Sequence, residues 1–144
     1  MPEEKIPNLD YYAAQHAQAI VRRTKEKKTD DPLSCAQKAT DVENLVTKTL
    51  GVLQENGVYA CFLYLFSRTQ KKEQAIAGVM VDEMLNILGT LRFNKWNKPA
   101  PNNAETVLAH IAEHIAKDIH RLLLAREALE RTLIYARYGA KARK

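Results

Sequence analysis

Glycine and proline are scarce, five of each in 144 residues. A turn-rich β-sandwich, a collagen-like chain and a long disordered tract all need more of these breakers, and their scarcity argues against all three. Cysteine is scarcer still. Cys35 and Cys61 lie in apolar stretches and, with no secretory leader visible at Met1-Pro2-Glu3-Glu4-Lys5, read as reduced thiols of a cytoplasmic protein. Long apolar runs are missing too: the longest, Val58 to Phe66, has nine residues, against the roughly twenty that cross a bilayer. No membrane partner is expected.

What is present is the balance of an ordinary globular chain, 46% hydrophobic and 27% charged, at about the length of one domain. Residues 1–144 read as a single helical domain with short flexible ends at about 1–8 and 140–144. The net charge of +5 is modest but uneven: segments 11–28, 92–101 and 131–144 carry +4, +3 and +5, while 29–57 and 102–130 carry −3 and −2. Three basic islands on a neutral-to-acidic body suggest contact with phosphate or with an acidic protein face.

The dominant period is helical. Tyr12, Ala13, His16, Ala17, Ile20 and Val21 recur at three-and-four spacing and predict a first helix, whose apolar stripe ends at the charged run 22–28. Asp30-Asp31-Pro32 predicts the start of a second, Asp31 accepting orphan amides and Pro32 lacking the amide that would go unused. That helix turns Ala39, Val42, Leu45, Val46, Thr49, Leu50 and Leu53 inward and stops at Asn56-Gly57, where glycine can take a left-handed conformation. Val58–Phe66 is apolar on every side. By local preference it suits a strand, but a lone strand would leave its backbone unpaired, so a central, fully enclosed helix is expected.

Ile76, Val79, Met80, Met84, Ile87, Leu88 and Leu91 mark the next helix. Residues 92–101 hold two prolines and form a loop. Asn102 and Glu105 read as a capping box. The stripe Leu108, Ile111, Ile115, Ile119, Leu122, Leu129 and Leu133 then runs toward Gly139, as one helix or as two broken near Lys117-Asp118. The fold class is all-α: one compact bundle of five to six helices with a long C-terminal helical segment.

Motifs for chemistry are sparse. His110-Ile111-Ala112-Glu113-His114 has the spacing of inverted zinc peptidases, two histidines one turn apart and a glutamate to activate water. A third ligand would have to follow, where only Glu127 or Glu130 are offered, and no edge strand exists to hold a peptide. The simpler reading has His114 donating to Asp118 one turn on. The cysteines lack a basic neighbour in sequence, and the glycines are isolated, with no phosphate loop. No catalytic residue, metal site or cofactor is expected.

The islands offer more. Arg92, Lys95 and Lys98 interleave with Phe93 and Trp96, a composition suited to single-stranded nucleic acid, where cations track the backbone and rings stack on bases. The plainer alternative is that both rings tuck back over the bundle. Arg131, Arg137 and Lys141 share a helix end with Tyr135 and Tyr138, where cations also complement the helix dipole. Arg22 and Arg23 head the third island. If the bundle gathers these on one face, they form a stripe for a polyanion.

Two segments carry a resemblance. Val42 to Ser67 (Val-Glu-Asn-Leu-Val-Thr-Lys-Thr-Leu-Gly-Val-Leu-Gln-Glu-Asn-Gly-Val-Tyr-Ala-Cys-Phe-Leu-Tyr-Leu-Phe-Ser) resembles the "helix, Asn-Gly, apolar helix, Ser" signature of the small all-helical subunit of type III-B (Cmr-type) CRISPR effector complexes. Leu123 to Ala142 is similar to that family's C-terminal helix, a Glu-Ala-Leu core followed by an aromatic, basic and alanine-rich end. Tyr135-Ala136-Arg137-Tyr138 departs from the family's usual Trp-Leu-Lys-Arg-like run, so the type III-A small subunit stays open as the relative.

The resemblance implies a non-catalytic protein of antiviral defence. It would stack along the other subunits of a type III effector and help hold guide RNA paired with target RNA, while other subunits cut. Arg131, Arg137 and Lys141 are then the candidate RNA contacts within the matched segment. The competing classes are a small helical metallohydrolase built on His110, Glu113 and His114, and an adaptor that binds only proteins.

Overall fold

In a computed structural model, which describes residues 8–93 and 95–144, the chain is a bundle of six α-helices. Helix α1 spans Leu9–Arg23, α2 Ala39–Asn56, α3 Val58–Phe66, α4 Lys71–Thr90, α5 Ala104–Ile111 and α6 Ile119–Arg143. Ala112–Ala116 winds as a π-helical turn between α5 and α6. Among the described residues no helix is long and apolar enough to cross a membrane.

Side chains start three of these helices. Asn8 accepts the Tyr11 amide at 2.9 Å, Asn103 the Thr106 amide at 3.0 Å, and Asp118 the amides of His120 and Arg121. Each satisfies a donor that the helix itself leaves free. The cap of α5 is thus Asn103 rather than Asn102, which leaves Glu105 exposed and outside a capping box. The Asp118 cap breaks the long C-terminal stripe into two helices, one of the two arrangements the sequence allows.

Asp31-Pro32 does not start α2. The Asp31 carboxylate is taken by Arg23, at 2.7 and 3.1 Å, and by the Leu33 amide in a turn. The amides of Cys35 and Gln37 then donate to the carbonyls of Arg23 and Thr24, so this linker closes the end of α1 and α2 begins only at Ala39. At the far end of α2, Gly57 has φ 96° and ψ −174°, a region essentially reserved for glycine. It ends α2 and opens α3 in one step.

Helix α6 packs against α2 on one side and α1 on the other, and α1 also lies on α4. The enclosed helix is α4, not α3. Ile76, Met80, Met84, Leu85, Ile87 and Leu88 are fully buried, and even Asp82 and Glu83 lie inside. Helix α3 buries Val58, Cys61, Phe62 and Leu65 but leaves Tyr59 and Leu63 40% and 48% exposed. The C-terminal residues, expected as a loose end from 140 on, are the last turn of α6. Ala140 is buried, Arg143 donates to the carbonyls of Val21 and Gln37, and Lys144 pairs with Glu43. At the other end, residues 1–7 lie outside the described residues and Asn8 belongs to the cap of α1.

Candidate nucleic-acid interface

The basic end of α1 and that of α6 are neighbours, because the Arg143 guanidinium reaches the Val21 carbonyl. Two of the three islands therefore meet at one end of the bundle. On the α1 flank Arg22 and Lys25 are exposed and line the groove between the helices. On the α2 flank, Lys144 pairs with Glu43 and holds that carboxyl below its ordinary range, with Lys141 and Arg137 adding to the same field. Arg22, Lys25, Arg137 and Lys141 have no ion-pair partner among the described residues, and the Arg137 guanidinium stands 6.0 Å from the Tyr138 ring.

Other candidates are engaged within the protein. Arg23 is the hub of a buried network, with Asp31, Asp82 and Glu83 each at 2.7 Å from its guanidinium. Burial opposes its charge, yet these three carboxylates hold its pKa above the ordinary arginine value. His16 adds a hydrogen bond to Glu83 at 2.9 Å, and Lys98 pairs with Asp82. Arg131 lies 3.0 Å from Glu127 and 3.8 Å from Asp10, and Asp10 also accepts the Tyr135 hydroxyl. That acceptor pushes the Tyr135 phenol upward.

The third island is split. Arg92 and Lys95 are exposed, with φ of 56° and 62°, left-handed values uncommon outside glycine. Trp96 folds back, edge-on to His110 with centroids 4.4 Å apart and 6.3 Å from Phe93. Phe93 in turn receives the Arg121 guanidinium at 5.2 Å. Arg121 is at the start of α6, and Arg137 stands about 24 Å farther along at the standard helical rise. The Phe93 end of the loop is thus remote from the end of α6, whereas Lys98, at its other end, shares Asp82 with Arg23 and lies beside the end of α1.

The H-x-x-E-H residues take an arrangement of their own. Across the π turn the His110 and His114 rings stack at 4.3 Å, and buried Nε2 of His110 has no hydrogen-bond partner among the described residues. Burial, and then the neighbouring His114, lower the His110 pKa below 6.5. Glu113 turns outward to Lys117 at 3.1 Å, and Asp118 caps α6 instead of accepting from His114. Among the described residues no three His, Cys, Asp or Glu side chains are grouped to hold a metal ion. Burial pushes the Cys61 thiol up to about 12 and raises that of Cys35, the opposite of an activated nucleophile.

Sequence reasoning found the cations but missed Asp82 and Glu83. Neighbouring carboxylates in a helix signal a solvated face, and only the later placement of Arg23 shows otherwise. No protein-family model, curated protein or solved structure matches the chain.

Proposed function

We propose that the chain is a non-catalytic small subunit of a type III CRISPR ribonucleoprotein effector, in the cytoplasm, contacting guide or target RNA through its basic end. The observation that carries this reading is that the end of α6 is flanked by cations on both sides, Arg22 and Lys25 toward α1 and Arg137 and Lys141 toward α2, none with an ion-pair partner among the described residues. Cations outside close ion pairs can release counterions to phosphate, whereas Arg23, Lys98 and Arg131 are bound directly to carboxylates; Arg137 and Lys141 act on Glu43 only through its field. The two segments that carry the resemblance also support it. They fold as α2–Gly57–α3 and as α6, and α2 packs along α6.

A protein-only adaptor is the second reading. It is favoured by Ile119, Leu123 and Tyr138, which leave 59%, 58% and 61% of their surface exposed along α6. Purifying the tagged chain from its native cells separates the two. The first reading expects repeat-derived guide RNA and backbone subunits to co-elute, removed from the chain by high salt. Elution with proteins alone, and no RNA, would favour the adaptor.

A further inference from the structure

Between α1 and α6 runs a groove of about 650 Å³. Its floor is made by Ala14, Ala17 and Val21 of α1 and by Gly139 and Ala142 of α6. These side chains offer no donors, and the Tyr135 hydroxyl at the edge is already given to Asp10. From Ala14 to Arg22 the α1 wall is about 12 Å long, a little over two helical turns, and Lys25 follows just past the helix end. Cations collect at one end only: Arg22 and Lys25, with Arg143 between the two helices. Glu26, the one acidic side chain among the described residues lining the groove, faces Lys28 at 3.8 Å.

We infer that this groove is a docking site for an amphipathic helix of a partner protein, its apolar side chains on the alanine–glycine floor and its carboxylates over Arg22 and Lys25. The apolar part of that floor, Ala14 to Val21, is about 10 Å or two turns long, which matches anchors at i, i+4 and i+7 of such a helix. A phosphodiester backbone would gain only from the cations and the exposed Gln18 amide and leave the floor unfilled. Charge at one end fixes the direction: the acidic end of the incoming helix lies over the end of α1, where steering also speeds encounter. The inference concerns a protein partner and stands whether or not the basic end also meets RNA.

The test is fluorescence anisotropy with the full chain and a labelled three-turn peptide, leucines at i, i+4 and i+7 and glutamates grouped at one end. A scrambled peptide of the same composition and a labelled uridine oligomer are the other probes. The patterned peptide should bind at least about tenfold tighter than the scramble. Ala14→Trp, which fills a half-exposed part of the groove, and the double variant Arg22→Glu with Lys25→Glu should each remove about tenfold of that affinity. Thermal melts monitored by circular dichroism should show both variants folded. Equal binding of patterned and scrambled peptides, or indifference to Ala14→Trp in a folded variant, would overturn the inference. So would a uridine oligomer that binds more tightly than the peptide and is itself lost on filling the groove.

Discussion

Gly139 of α6 lies so close to Val21 of α1 that a β-carbon built on it would stand 2.9 Å from Val21 Cγ2. Glycine inside a helix costs about 1 kcal/mol relative to alanine, so here the helix gives up intrinsic stability for close approach. Valine is stiff at χ1 and cannot step aside freely. Gly139→Ala should therefore destabilise the protein by about 1 kcal/mol through overpacking. In a Val21→Ala background the same change should stabilise. Urea unfolding of the four proteins in a double-mutant cycle checks this, and simple additivity would show that the two residues do not touch.

Gly57→Val probes the join of α2 and α3. At φ 96° and ψ −174° a β-branched residue is strained by about 1–3 kcal/mol, and both helix ends depend on that one residue. The midpoint of chemical unfolding should fall accordingly, whereas Gly51→Ala, with nothing within 4 Å of the added carbon, should leave the protein as stable or more so. Equal losses at the two glycines would contradict the assigned turn.

Removing the hub of the buried network should cost far more than removing a surface cation. Arg23→Met takes the guanidinium from Asp82 and Glu83 in the interior and leaves the first only Lys98 and the second only His16 and Asn86 among the described residues, a loss of about 3 kcal/mol; Lys71→Met, at an exposed helix start, should cost almost nothing. The pH dependence has a definite sign. The Arg23 hydrogen bond holds Asp31 below its ordinary 3.8, and although burial opposes it, bonds from His16, Asn86 and Arg23 hold Glu83 below 4.5. The stability this contributes is present above those ordinary values and is lost as the pH falls through the lower, folded ones. Wild-type unfolding midpoints should therefore drop steeply below pH 4.5 and those of Arg23→Met less so. Parallel acid profiles would remove the network from the account.

Trp96, the single tryptophan, reports on His110, since an imidazolium against an indole quenches its emission. Emission should fall on acidification with a midpoint below 6.5, the ordinary value from which burial and His114 displace His110. His110→Gln should abolish the transition. Because the folded chain binds this proton less readily than the unfolded one, the stability involved is greatest above pH 6.5 and declines as the pH falls below it. A midpoint above 6.5 would place His110 in a different environment.

Legibility in the sequence follows the range of each interaction. Helix faces and the α2–α3 break at Gly57 rest on neighbours within a turn or two, and the periodicity carries them. The start of α2 does not: Asp31-Pro32 is a good local signal, but the Arg23 ion pair and the bonds of Cys35 and Gln37 to the end of α1 outweigh it. Helix α4 was legible as a helix but not as the enclosed one, because Glu83 finds Arg23 across sixty positions of sequence. The same limit applies to the islands. Arg23, Lys98 and Arg22 look alike as sequence, and only tertiary placement separates two engaged cations from one with no ion-pair partner among the described residues.

The measurement closest to the central claim is the salt dependence of RNA retention by the assembled complex, with wild-type chain and with Arg137→Glu plus Lys141→Glu, after equal incorporation is established. These two positions lie away from the α1–α6 groove, so loss of peptide docking would not imitate the effect. Each phosphate contact contributes about 0.7 to the slope of log affinity against log salt for a single strand. The variant lacks two cations and should bind more weakly at low salt, with a slope flatter by about 1.4. Identical slopes and affinities for the two complexes would contradict an RNA contact at this end of the bundle.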